Sequence, residues 1–194
     1  MVGLERKLII IIVLFISVLF TGCTSLPKDM NEKGENAFTR TVEAFEGLQT
    51  NDMEKMLLLT YGDLEQNEKD FVSSEIGSKV LRHMTFKVNK IELVEDNDNV
   101  KRCEVTITIS SIDMGDISEA YEKIVKENGQ RDSGIVNDLL FEAIDDCRDE
   151  KEDKQVKLNA YLYPDIDVWR IEIDKDGFNA LFPEYDEYIK WRYN

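Results

Sequence analysis

The sequence predicts an α+β protein: N-terminal helices packed on a curved antiparallel sheet of about four strands, with a helical insertion between two hairpins. Three observations predict it. Apolar residues recur at helical spacing early in the chain and again between residues 117 and 150. They alternate with polar residues in four short runs, Phe86–Leu93, Cys103–Ile109, Val156–Leu162 and Trp169–Ile173. The chain is 194 residues long, 42% apolar and 9% aromatic, enough for one core and one domain.

The elements follow in order. Ala37, Phe38, Thr41, Val42, Phe45 and Leu48 place a first helix over about 33–48. Thr50-Asn51-Asp52 breaks it and supplies an N-cap for a short second helix carrying Met53, Met56, Leu57 and Thr60. Glu65 to Arg82 reads as a third helix, weakened by Gly77. The period then drops to two. Phe86 and Val88 share a parity that Ile91 and Leu93 reverse, so a bulge near Asn89-Lys90 is expected. Asp96-Asn97-Asp98-Asn99 is a turn signal, and Cys103, Val105, Ile107 and Ile109 form the cleanest half-buried strand, antiparallel to the one before. Helices over 117–127 and about 133–150 make the insertion, separated by Asn128-Gly129. Two strands joined at Pro164-Asp165 close the second hairpin. Asp176-Gly177 reads as a turn, and 178–193 as a helical tail rich in aromatic residues.

Charge narrows the function. The net charge is −16, and without residues 1–22 there remain 22 basic and 39 acidic residues, a net of −17. No basic stripe exists to neutralise phosphates, so nucleic-acid binding is excluded. The N-terminus reads as an export signal: Arg6 and Lys7, then the 13-residue apolar stretch Leu8–Phe20, then small residues. Such a stretch spans about 20 Å as a helix at roughly 1.5 Å per residue, short of a bilayer core of about 30 Å. Leu19-Phe20-Thr21-Gly22-Cys23 resembles the lipobox of bacterial lipoproteins, with Phe20 where that family most often has Leu. The resemblance implies cleavage before Cys23 and a diacylglyceryl group on its thiol. The expected organisation is a signal peptide over 1–22, a lipidated N-terminus and polar tether over 23–35, and one extracytoplasmic domain over 36–194, held at the cell membrane.

The order of elements is also similar to the cone-shaped fold of nuclear transport factor 2, and more narrowly to uncharacterised Gram-positive lipoproteins that carry it. The likeness rests on Phe38–Met56, on Val105-Thr106-Ile107-Thr108, and on Asp167-Val168-Trp169-Arg170-Ile171, and covers roughly 35–183. It implies a pocket between sheet and helices that serves binding in some members and catalysis in others, and dimerisation through the sheet.

Few residues carry chemistry. His83 is the only histidine, at a helix-to-strand junction, and reads as a surface or capping residue. One histidine argues against a histidine-based zinc site, and no nucleophile elbow, zinc-protease, Walker or dinucleotide motif is present, so no enzyme, metal or cofactor is expected. Cys103 and Cys147 each lie on the apolar side of their element, and two readings stay open: a disulfide, permitted outside the cytoplasm, or two buried thiols. Glu172-x-Asp174-x-Asp176-Gly177 opens like a calcium loop, but its twelfth position is Pro183, so the expected reading is a strand entering a turn. Asp145, Asp146, Asp149, Glu150, Glu152 and Asp153 read as a solvated acidic face. Trp169, Tyr185 and Trp191 are the candidates for a pocket or partner contact. The expected function is binding of a small ligand or an envelope protein, with a structural role as a sheet-paired homodimer as the alternative.

Overall fold

The structure, a computed structural model, describes residues 32–97, 101–128, 136–163 and 167–193. The signal-peptide reading, Cys23 and both hairpin tips fall outside those residues. Helix α1 (Glu32–Thr50) buries Ala37, Phe38, Thr41, Phe45 and Leu48 of the predicted stripe, and Ala44 besides, while Val42 is only half-buried. It ends where Asn51 turns to φ 54°, a left-handed conformation that Asn tolerates better than most residues. Asp52 then caps α2 (Met53–Met56), its carboxylate accepting from the N–H groups of Glu54 and Lys55.

The second helix stops sooner than its apolar pattern suggests, because Leu59–Tyr61 forms a fifth strand, β1. The sheet also contains β2 (Thr85–Asp96), β3 (Lys101–Ile112), β4 (Lys151–Tyr163) and β5 (Val168–Ile173), in spatial order β1-β5-β4-β3-β2. It is therefore a mixed sheet of five strands and not an antiparallel one of four: β1 runs parallel to β5, opposite Ile171–Ile173, and the other pairs are antiparallel. The Ile171 N–H donates to Leu58 O and the Gly62 N–H to Ile173 O, which fixes β1 at the edge. The bulge at Asn89 is present, as a register shift between Val88 and Lys90, and a second shift lies between Leu93 and Glu95. On this edge strand the bulges, with Lys87 and Lys90, blunt strand-to-strand association.

The predicted third helix is two. α3 (Gln66–Val72) ends at Ser73, and α4 (Glu75–His83) restarts with Ser74 capping the Gly77 N–H. A methyl on Gly77 would lie 2.0 Å from the Phe71 carbonyl oxygen, so the elbow between the helices requires glycine. The C-terminal reading needs two corrections. Asp176-Gly177 is the first turn of α7 (Lys175–Leu181), capped by Asp174, and not a turn between elements. The tail is also divided, because Phe182 and Pro183 separate α7 from α8 (Tyr185–Tyr193).

The insertion, α5 (Met114–Glu127) and α6 (Asn137–Asp146), connects β3 to β4, which still pair without a break from Lys101↔Leu162 to Ile112↔Lys151. One sheet face is apolar: Cys103, Val105, Ile107, Ile109, Leu158, Ala160, Trp169, Ile171 and Ile173 are buried in one core with α1, α4 and α7. The alternate residues of β3, from Arg102 to Ser110, are half-exposed, so the other face is polar and open. Phe178, Leu181 and Phe182 are fully buried, each contributing roughly 1.5–3 kcal/mol through removal from water. Ser111 Oγ donates to Leu181 O, and the Met114 N–H donates to Pro183 O, tying the start of the insertion to the C-terminal helices. No helix among the described residues is long and apolar enough to cross a membrane.

Candidate functional site

The aromatic tail is docked through Tyr185, Tyr188 and Trp191, and its last aromatic residue, Tyr193, is exposed. Tyr185 is buried between Phe71, at 4.8 Å between ring centroids, and Phe178, at 4.9 Å and nearly perpendicular. Burial first, and the Glu68 carboxylate second, push its hydroxyl up to about 12. Trp191 is half-buried: its indole N–H donates to Glu122 Oε1 at 2.9 Å, and its ring stacks edge-on against Tyr121. α8 therefore clamps onto α5. Trp169 is buried on the inner sheet face among core residues. Trp169 and Tyr185 thus offer no exposed aromatic surface, and Trp191 is partly covered.

Cys103 and Cys147 are free, buried thiols, each pushed up to about 11 by burial. Cys103 lies nine residues along β3 from Ile112, about 30 Å at roughly 3.3 Å per residue. Cys147 lies four residues before Lys151, the partner of Ile112. The two cysteines thus sit near opposite ends of the sheet, far beyond the ~7 Å between Cα atoms that a disulfide spans.

His83 has a partner that the sequence did not reveal. Its Nε2 lies 3.0 Å from Asp145 Oδ1, and Lys79 Nζ lies 2.6 Å from the same oxygen. Partial burial would raise the Asp145 carboxyl, but the hydrogen bonds from Lys79 and His83 outweigh it and hold the group below its usual range. The cluster joins α4 to α6 at a half-exposed surface.

The acidic run around α6 divides by direction. Asp145 faces α4, Glu152 pairs with Lys154, and Asp153 accepts from Ser110 Oγ. Asp146 and Glu150 turn instead toward α5 and line a groove of about 580 Å³ with Asp116, Glu119, Glu127 and Glu142. Among the described residues Lys123 is the one cation lining it, and Ala120, Ile124 and Cys147 supply its apolar surface. Asp116 is raised above the usual carboxyl range, by burial first and then by Asp113, Glu150 and Glu119. Half of the groove's carboxylates, Asp116, Glu119 and Glu127, sit at helical spacing on α5, and the sequence analysis did not single them out.

No group of three or more His, Cys, Asp or Glu among the described residues is placed to hold a metal ion. In the calcium-loop mimic, Asp174 spends its carboxylate on the Gly177 N–H, and Glu172 packs over Gly62 on the open sheet face. No family model, curated protein or solved structure matches this chain.

Proposed function

We propose that the protein is an extracytoplasmic lipoprotein, anchored through an acylated Cys23, whose domain binds a partner and catalyses no reaction. In this reading the domain belongs to the cone-shaped class of nuclear transport factor 2. Binding takes place at the groove between α5 and α6, and the occupant is cationic: a basic segment of an envelope protein or a small polyamine-like ligand. The observation that carries this is the groove itself, six carboxylates against one lysine among the described residues, in a cleft of about 580 Å³. Like charges held this close repel one another, and a positive occupant relieves that repulsion while electrostatic steering speeds its arrival.

Titration with tri-lysine tests the reading. Neutralising Glu142, Asp146 and Glu150 together weakens binding at least tenfold. Neutralising three exposed carboxylates elsewhere, Glu54, Asp176 and Asp186, weakens it less than twofold. Equal losses in both variants overturn the proposal and leave only bulk charge.

A second reading, a sheet-paired homodimer, rests on the open outer face. There Arg102, Glu104, Lys157 and Glu172 mix both signs, and Tyr163 is exposed. Sedimentation of the full chain in detergent distinguishes it.

A further inference from the structure

A separate cleft lies over the outward face of α4. Its floor is Glu75, Ser78, Lys79 and Arg82, spaced so that all four share one helix face. Asn51, from the turn after α1, and Phe141, from α6, form its walls around about 470 Å³. The central cation is already neutralised, because Lys79 is held by Asp145. Glu75 and Arg82 have no ion-pair partner among the described residues, and they stand at the two ends. Seven residues of helix separate them by about 10.5 Å at roughly 1.5 Å per residue. Between them Ser78 is only 7% exposed, yet its hydroxyl reaches Asn51 Oδ1 at 3.5 Å, the outer limit of a hydrogen bond. A buried hydroxyl so weakly used, facing a cleft with an anion at one end and a guanidinium at the other, is arranged for a ligand with the opposite polarity.

We propose that this cleft binds a short extended peptide of about three residues through its free termini. Three extended residues span about 10 Å at roughly 3.3–3.6 Å each, comparable to the axial separation of the two helix positions that carry the end groups. Arg82 takes the C-terminal carboxylate, which its planar fork recognises in bidentate fashion. Glu75 takes the ammonium as the complementary charge. Asn51 and Ser78 bond the peptide's amides, and Phe141 packs against a central apolar side chain. A simple anion fits less well, because Glu75 and Asp145 would repel it.

The test is an NMR titration of the full chain in detergent with Ala-Phe-Ala. The expected result is saturable shifts at Ser78, Arg82 and Phe141. Amidating the peptide C-terminus, acetylating its N-terminus, or replacing Arg82→Ala or Glu75→Ala should each weaken binding at least tenfold. Arg82→Lys, which keeps the charge and loses the fork, should lie in between. Far-UV circular dichroism checks that each variant is folded. The neutralised groove variant of Glu142, Asp146 and Glu150 should bind the peptide as the unaltered chain does, separating this site from the acidic groove. The proposal is overturned by an absence of shifts at 20 mM peptide (about the weakest affinity worth calling a site). It is equally overturned if binding survives Arg82→Ala, or if inorganic phosphate competes as well as the peptide and blocking the peptide's termini has no effect.

Discussion

Replacing Lys175 with Met strands a buried carboxylate. Glu68 is 2% exposed; one of its oxygens meets the Lys175 ammonium and the other accepts the Glu65 N–H at 2.9 Å. This ion pair fastens α3 to α7, and with them the aromatic cluster of Phe71, Phe178 and Tyr185. Removing one partner of a buried pair costs about 3–5 kcal/mol, because the charge left behind is no longer compensated. The Lys175 side chain is 42% exposed, so water reaches the gap and the low end applies, about 3 kcal/mol. For a domain of this size that lowers Tm by about 6–12 °C, at roughly 2–4 °C per kcal/mol. Urea unfolding followed by tryptophan fluorescence reads the change as a lower midpoint with an unchanged slope. Adding Glu68→Leu removes the stranded charge, so the double variant should recover most of the loss. A Lys175→Met midpoint within about 1 kcal/mol of the parent, or a double variant whose losses simply add, would refute the reasoning.

Three further outcomes follow from the geometry. Gly77→Ala, which in most helices stabilises by up to about 1 kcal/mol, should here destabilise by about 2 kcal/mol or more, since the new methyl meets the Phe71 carbonyl; a thermal melt decides the sign. In a chain carrying Cys23→Ala, Cys103 and Cys147 should resist iodoacetamide at pH 8 and both react in urea, read by mass, because burial shields them and pushes the thiols up to about 11. The lowered Asp145 carboxyl contributes stability that is present above its ordinary value near 3.8 and is lost as pH falls through its folded-state value. Asp145→Asn should therefore cost under about 1 kcal/mol at pH 7, as its half-exposed setting requires, and flatten the acid limb of the stability curve.

Sequence patterns revealed those parts of the fold that local chemistry decides. Alternation along Cys103–Ile109 gave β3, parity reversal gave the Asn89 bulge, and the Thr50-Asn51-Asp52 break gave the start of α2. Long-range contacts decided the rest. Leu59–Tyr61 has no periodicity to read in three residues, and it becomes a strand only because β5, more than a hundred residues later, offers an edge. Ser73-Ser74 splits a helix whose apolar pattern runs on, because Gly77 lets α4 pack against the end of α3. Asp174-x-x-Gly177 looks alike as a turn and as a helix cap, and the apolar partners of Phe178 choose the cap. The sites were less legible. Asp145 and Asp146 are adjacent in sequence yet serve different surfaces, one bonded to His83 and the other lining the groove. The Glu75–Arg82 pair is a helix-dipole pattern in sequence, and it gains meaning only when Asn51 and Phe141 wall it in.

The anchored, extracytoplasmic placement is tested most directly by the intact mass of the protein from its native membrane fraction, with Cys23→Ala as control. The account predicts a mature chain that begins at Cys23 with added acyl mass, and a control that is neither cleaved there nor acylated. An unmodified chain cut elsewhere, or one that retains residues 1–22, would contradict it.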